Sequence, residues 1–351
     1  VRAGSVFVCI KGAHFDGHSV AKEAENDGAV LIVAEHDTGA KNQVLVEDSR
    51  SAYSLICAAF YGWPAKHLTL IGVTGTNGKT TTTMLLKGIL DKAGIRCGLV
   101  GTVQNMVGEK ALPASLTTPD CKDLQKLFAD MVEAGCTHCV MEVSSQALAQ
   151  KRVDGCHFAV ALFTNLTQDH LDYHGTFENY LAAKRTLFTK ADVAVLNTDD
   201  PHALKMTEGL AVRTVTFSVH QPDSDYTAKN VICTSSSVQY ELLGGENIGR
   251  VNVRIPGHFT VYNSMGAAIC ALLLGLDFET VLRLLAESKG VPGRVEVLDT
   301  HTDYTVLIDY AHSPDGLENV ISSVRETTPN RIITVFGCGG DPDKTKRPIM
   351  G

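Results

Sequence analysis

The stretch LTLIGVTGTNGKTTTTMLLKGIL (68–90) sets a run of apolar, strand-favouring residues directly before a glycine-rich turn and a helical segment that opens with lysine and threonines. Each part has a physical task. Gly75 and Gly78 let backbone N–H groups approach phosphate oxygens, and the helix start contributes its positive end. Lys79 supplies a cation, and the Thr80 hydroxyl can ligate Mg2+. The strict phosphate-loop spacing wants glycine at position 73, where this chain has Val73; the loop reads G-x-x-G-x-x-G-K-T from Gly72. A lysine and hydroxyls at the helix start suit a triphosphate with metal better than a pyrophosphate bridge. Thr74, Gly75, Thr76, Asn77, Gly78, Lys79, Thr80 and Thr81 therefore form a candidate ATP site.

On either side of this loop, the chain divides into three expected units. Residues 1–66 hold two short strands, SVFVCI and AVLIVAE, around a helical stretch from Ser19 to Asp27, a small α/β unit. Residues 67–297 repeat strand and helix: LTLIGV, CGLVGTV, HCVMEV, FAVALFTN and DVAVLN are continuous apolar runs. Such runs suit strands buried on both faces of a doubly wound parallel sheet. Within that unit 213–255 alternates and predicts antiparallel strands, and helices are expected over Val261–Leu274 and Glu279–Ser288. Residues 298–351 open a third α/β unit, with TVLIDYA and RIITVFG as strands around a helix from Pro314 to Arg325.

With 351 residues, 44% hydrophobic and 20% charged, the chain can bury several cores. Its net charge of -8 gives no field for nucleic acid. No apolar run approaches the roughly 20 residues that cross a bilayer, so no membrane insertion is expected. The ten cysteines lack a secreted-scaffold rhythm, which favours a cytoplasmic location. The Cys136/Cys139 pair lies in an apolar run and reads as core rather than as a metal or redox site. Val1 stands without an initiator methionine directly before a strand-like run, and Gly351 stops where no helix or strand has room to finish, so the chain reads as a fragment. Oligomeric state is not visible in the sequence, and a monomer is the default expectation.

Further strings narrow the reading: TTPD (117–120), MEVSSQAL (141–148), FTNLTQDHLDYHG (163–175), NYLAAKRTLF (179–188), VLNTDD (195–200), IPGHFTVYN (255–263), GVPGRVE (290–296), IDYAHSPDGL (308–317) and VFGCGGDPDKTKRP (335–348). In this order, with GTNGKT, they resemble the Mur ligases, most closely the MurE-type enzymes. The resemblance implies a three-domain Mur ligase architecture: a small N-terminal α/β domain, a central P-loop ATPase domain and a truncated C-terminal Rossmann-like domain. It implies a catalytic group of Lys79, Glu142, His170 and Lys184. Thr80, Glu142, His170 and a carbamylated Lys184 would hold Mg2+, and ATP would also touch His258, Asn263, Arg294 and Asp309. A UDP-N-acetylmuramoyl dipeptide would meet Ala13, His14, Phe15, Thr117, Thr118, Ser144, Gln150 and Arg152, with a diamino acid as second partner.

The residues themselves leave alternatives open. Glu142 also reads as a strand-end carboxylate meeting water, Lys184 as a solvated helix lysine, and His258 and Asn263 as helix caps. Thr260, Gln146 and Pro342 depart from the family pattern. The resemblance implies ATP-dependent amide ligation through an acyl phosphate, adding meso-diaminopimelate, with L-lysine as second choice, to UDP-N-acetylmuramoyl-L-alanyl-D-glutamate, and it implies that a fragment without the rest of the third domain is inactive alone. A folylpolyglutamate synthetase and a nucleotide-binding module without catalysis are the competing readings.

Overall fold

Apolar runs and helical stretches alternate where strands need a layer on both faces, and the structure, a computed structural model, shows one large sheet built this way and two smaller sheets. It describes residues 1–12, 14–288, 290–311, 314–337 and 346–351. The first unit contains β1 (Ser5–Val8), α1 (Ala21–Asn26), β2 (Ala29–Ala34), β3 (Gln43–Leu45) and α2 (Ser49–Phe60). Its sheet is parallel, in the order β1-β2-β3. Helix α2 starts where it does because the Asp48 carboxylate accepts the Ser51 N–H at 2.8 Å, satisfying a donor the helix leaves free.

The large sheet begins with β4 (Thr69–Thr74), α3 (Lys79–Lys92), β5 (Cys97–Val100), and the hairpin β6 (Gln104–Val107) and β7 (Lys110–Pro113). It continues through α4 (Cys121–Glu133), β8 (His138–Glu142), α5 (Ser145–Ala149), β9 (Phe158–Phe163), α6 (Leu171–His174), α7 (Phe177–Arg185) and β10 (Ala191–Asn197). Strands β11 (Arg213–Ser218), β12 (Tyr226–Cys233), β13 (Val238–Gly244) and β14 (Asn247–Val253) precede α8 (Phe259–Leu273) and α9 (Phe278–Ala286). The strand order is β14-β13-β12-β11-β10-β9-β4-β8-β5-β6-β7. A last pair, β15 (Glu296–Leu298) and β16 (Val306–Ile308), is antiparallel and is followed by α10 (Pro314–Thr327) and α11 (Lys346–Met350).

Two cores sandwich the large sheet. On one face Ile71, Leu86, Ile89, Met265 and Leu285 pack together, joining α3, α8 and α9 to the strands. On the other, Leu70, Phe128, Met141, Phe163 and Tyr180 do the same for α4 and α7. Neighbouring residues of one strand, Leu70 and Ile71, thus belong to opposite cores, the physical reason that β4 reads as an uninterrupted apolar run. The parallel register brings Val73 beside Glu142 and Thr74 beside Phe163, so the carboxyl ends of β4, β8 and β9 meet at one edge. Ligands of open α/β sheets collect at such an edge.

Three expectations change. The segment 213–255 is not wholly antiparallel: β11 runs parallel to β10, and β12 parallel to β11 through two pairs, before β12, β13 and β14 turn antiparallel. The cause is the connection 198–212, long enough to carry the chain back and start β11 in the same direction as β10. CGLVGTV stops being strand at Val100, and the hairpin that follows was not anticipated. RIITVFG forms no strand within the described residues 331–337, where Ile333 and Val335 are exposed; a strand requires a paired neighbour, which apolar letters alone do not provide. The helices over 259–273, 278–286 and 314–327 fall close to the expected places.

Phe128 is fully buried in the α4 core. Phe128→Ala should lower stability by about 3–5 kcal/mol, read as a reduced urea midpoint with an unchanged slope.

Candidate active site

Between β4 and α3 the chain turns through Gly75 at φ 149° and Gly78 at φ 87°. Space as well as φ demands glycine here. A Cβ on Gly75 would overlap the Thr164 hydroxyl, and one on Gly78 would overlap Asn263 Oδ1. The residues after β9 grip the turn: Thr164 Oγ1 donates to Asn77 O at 2.6 Å, Asn77 N donates to Asn165 Oδ1 at 2.9 Å, and Thr76 N donates to Asn165 O at 2.9 Å. The loop shape therefore belongs to two strands, not to the loop letters alone.

Two lysines converge on it. Lys79 Nζ donates to Gly75 O at 2.9 Å and to Thr76 O at 2.8 Å. Lys184 Nζ donates to the same Gly75 O at 2.8 Å. The solvated-face alternative for Lys184 is overturned, because the side chain is 1% exposed. Burial, and then the charge of Lys79, pull the Lys184 ammonium well below the usual lysine range. Burial also lowers Lys79, opposed by Glu142.

Tyr180 sits beneath this pair and was absent from the sequence-derived site. Its ring lies 4.6 Å from Lys184 Nζ, and its hydroxyl is 3.1 Å from Thr76 Oγ1. The helix NYLAAKRTLF carries it one turn before Lys184, a spacing that could have flagged it.

Glu142 is also buried, at 1% exposure, so it is no strand-end carboxylate meeting water. Both its oxygens accept from Thr102: the backbone N–H at 2.8 Å and the hydroxyl at 2.9 Å. His170 follows β9 in the left-handed conformation, φ 54°, with Asp169 3.5 Å from its ring and burial holding its pKa down. Glu142 and His170 both lie close enough to Lys79 to exchange electrostatic influence with it.

His258, Asn263, Arg294 and Asp309 line one cleft of about 510 Å³ with Asn77, Gly78 and Thr81. The capping alternative is not realised: His258 precedes α8 without a side-chain cap bond, and Asn263 lies inside the helix, its Oδ1 facing Thr82 Oγ1 at 3.5 Å. Arg294 donates to Thr80 Oγ1 at 3.1 Å and stacks 5.1 Å over Tyr310, while its Nε is buried with no hydrogen-bond partner among the described residues. Asp309 is occupied by backbone: it accepts Val295 N at 2.8 Å and Ala311 N at 2.7 Å. The first of these holds Val295, a β-branched residue, at φ 43°, a strained conformation.

The expected acid-substrate residues form a second cluster beside Glu142. Thr118 Oγ1 donates to Glu142 O at 2.8 Å and accepts Ser144 N at 3.0 Å. Thr117 Oγ1 lies 3.0 Å from Thr102 Oγ1. Arg152 is folded inward, donating to Thr118 O at 2.7 Å and to Gln150 Oε1 at 2.7 Å, and Gln150 reaches Tyr173. His14 and Phe15 lie elsewhere, exposed on the first unit; Ala13 and Pro342 fall outside the described residues. Thr260 is buried and bonds Pro256 O at 3.1 Å, and Gln146 accepts from Ser145 at 3.3 Å.

The donor set suits a nucleotide polyphosphate: one half-buried and one buried lysine, an orphaned guanidinium N–H and a glycine cradle. For a divalent cation the fit is narrower. Among the described residues no three His, Cys, Asp or Glu side chains gather as a ready cage. Mg2+ needs none, since it keeps several waters and takes one or two protein oxygens with the phosphates. Thr80 and Glu142 offer such oxygens.

Comparison with known proteins gives the same lineage from end to end. Family models described as Mur ligase family, catalytic domain, as Mur ligase middle domain, and as Mur ligase, glutamate ligase domain match residues 1–61, 73–271 and 293–351. A UDP-N-acetylmuramoyl-L-alanyl-D-glutamate--2,6-diaminopimelate ligase of Clostridium botulinum is 44% identical over all of this chain and 74% of its own length. The ligase of the same name from Alkaliphilus metalliredigens is 43% identical over all of this chain and 72% of its own length. A solved structure bearing that name superposes with TM-score 0.81 at 32% identity, covering all of this chain and 73% of the other. A Mycobacterium tuberculosis folylpolyglutamate synthase, TM-score 0.65 at 18% identity over 78% of this chain and 70% of its own, shares the fold.

Two substitutions test this geometry. Gly78→Ala forces a Cβ against Asn263 and a left-handed φ costing about 1–2 kcal/mol; ATP affinity should fall on the order of tenfold, measured by titration calorimetry. Lys184→Met removes a penalised buried cation, so the thermal midpoint at neutral pH should hold or rise. The sign follows from the lowered folded-state pKa: below it the lysine is charged in both states and the penalty is complete. Above the unfolded value, about 10.4, it is neutral in both and the penalty is gone. The gap between variant and wild type should narrow as pH rises through that window.

Proposed function

Because this chain belongs to the Mur ligase family, we propose that it is the ATP-dependent ligase that joins 2,6-diaminopimelate to UDP-N-acetylmuramoyl-L-alanyl-D-glutamate in peptidoglycan synthesis. The observation that carries this reading is the place of Glu142: it ends β8 beside Val73 at the entry to the phosphate loop and raises the proton affinity of Lys79, while Thr118 donates to its backbone carbonyl and Thr117 reaches its carboxylate through Thr102, so a nucleotide and an acid substrate would share one edge of the sheet. The names of its relatives choose the acid and the amine.

The reaction brings like charges together. A carboxylate oxygen of the D-glutamyl residue attacks the γ-phosphorus of ATP; the bond to the β-phosphate oxygen breaks and ADP leaves. The amine of diaminopimelate then attacks the acyl carbon of the acyl phosphate, loses a proton, and inorganic phosphate departs with its bonding pair. Lys79 neutralises charge on the transferring group, Arg294 supplies further positive charge at the cleft, and the turn at 75–78 fixes the phosphates. Thr80, Glu142 and His170 would hold Mg2+, which supplies additional charge neutralisation at the phosphates. Thr117, Thr118, Ser144, Gln150 and Arg152 shape the acid-substrate side, and His14 and Phe15 hold the uridine end.

Lys184 carries a modification in this reading. Burial favours its neutral amine, which can attack CO2, form an N–C bond and release one proton, leaving a carbamate. That converts the amine at Gly75 into an oxygen ligand. The unpaired cysteines among the described residues, and ATP as co-substrate, fit a cytoplasmic setting. No helix among the described residues is long and apolar enough to cross a membrane.

A phosphate-release assay on the intact protein, with the UDP-dipeptide and a panel of amino acids, tests the proposal. Release should require the UDP-dipeptide and be fastest with meso-diaminopimelate, slower with L-lysine. Release driven by a reduced folate and glutamate would move the assignment to folylpolyglutamate synthesis.

A further inference from the structure

Thr102 stands between the two substrate sides, directly after β5. Its fork of N–H and hydroxyl holds both oxygens of Glu142, at 2.8 and 2.9 Å. Beneath the fork is Gly101, where a Cβ would lie 2.7 Å from Glu142 Oε1, so any larger residue would push the carboxylate away. The carboxylate thus has one seat, shaped by two residues outside every motif that marked the site.

A hydroxyl has one proton to give. Thr102 gives its proton to Glu142 Oε2, so in the 3.0 Å contact with Thr117 it must accept, and Thr117 must donate. The result is a directed chain, Thr117 to Thr102 to Glu142. Each donor in such a chain strengthens the next, because an accepted hydrogen bond polarises the hydroxyl that passes it on. Thr118 ties the same loop to the Glu142 carbonyl, but that bond is fully buried, whereas Thr102 and Thr117 are half-buried and open to change.

We propose that Thr102 is a positioning residue that couples the two substrates: when the anionic sugar-nucleotide draws the Thr117 proton to itself, the Thr102 donation weakens and Glu142 pulls harder on the cation that accompanies ATP. This rests on the ligase reading above, in which Thr117 faces the acid substrate and Glu142 the nucleotide side. The coupling is reciprocal, as every binding linkage is.

The test measures affinity, not turnover. A non-hydrolysable ATP analogue with Mg2+ is titrated into the intact protein with and without UDP-N-acetylmuramoyl-L-alanyl-D-glutamate. In the wild type the sugar-nucleotide should tighten the analogue by about tenfold, within the usual range of such couplings. Thr102→Val keeps the shape and the backbone N–H but not the hydroxyl, and should bring that factor close to one; Thr102→Ser should restore it. A purely structural role would change both affinities and leave their ratio intact. Thr117→Val cuts the chain at its other end and should give the same loss, which decides the matter should Thr102→Val fold poorly. A wild-type factor in both valine variants, or a factor of one in an active wild type, overturns the inference while leaving the ligase reading in place. Absence of UDP-dipeptide-dependent phosphate release by the wild type overturns the ligase reading instead.

Discussion

Two lysine nitrogens, those of Lys79 and Lys184, donate to a single backbone carbonyl, that of Gly75, at 2.9 and 2.8 Å. Charged together they would repel, and burial together with the charge of Lys79 lowers the proton affinity of Lys184. Such an arrangement is tolerable only where an anion arrives or a proton leaves. The glycine turn, the Arg294 guanidinium at Thr80 and the start of α3 add donors and positive charge around Lys79, which Glu142 and Asp169 oppose. A polyphosphate supplies what the folded chain lacks, and much of the fold serves to keep these cations in place until it comes.

That placement is costly to maintain, and the surrounding structure shows how it is done. Gly75 and Gly78 leave no room for side chains, because Thr164, just after β9, and Asn263 of α8 press against them. Tyr180 braces Lys184 from below and Thr76 from the side. Behind these contacts stand the two cores of the large sheet, which fix β4, β8 and β9 in parallel register and bring their carboxyl ends level. Thr102 and Gly101 do for Glu142 what Thr164 and Asn263 do for the turn. Precision at the site is thus a property of packing several layers deep.

Arg294 and Asp309 add a different element at the junction of the large sheet and the last pair of strands. Asp309 spends both carboxylate oxygens on backbone N–H groups, one of them belonging to Val295 at a strained φ. Strain held by one carboxylate, next to an arginine that reaches back to Thr80, links the position of the last unit to the phosphate turn. The cleft between them is therefore shaped from both sides.

The letters by themselves determined the strand–turn–helix at 68–90, the parallel character of the sheet centre and the three-part order of the chain. These depend on local periodicity and on glycine and lysine at fixed offsets, which act over a few residues. The ordered motifs also named Glu142, His170 and Lys184. Only the tertiary structure decided that Lys184 is buried rather than solvated, that Arg152 turns inward to Thr118 and Gln150, and that Asn263 lies beside Gly78 instead of capping a helix. It alone revealed Tyr180 and Thr102, and it denied RIITVFG a strand. The reason is that burial, hydrogen-bond partners and strand pairing are set by residues distant in sequence: Lys184 and Gly75 lie 109 positions apart, Thr102 and Glu142 lie 40 apart. No window of the sequence contains both members of such a pair.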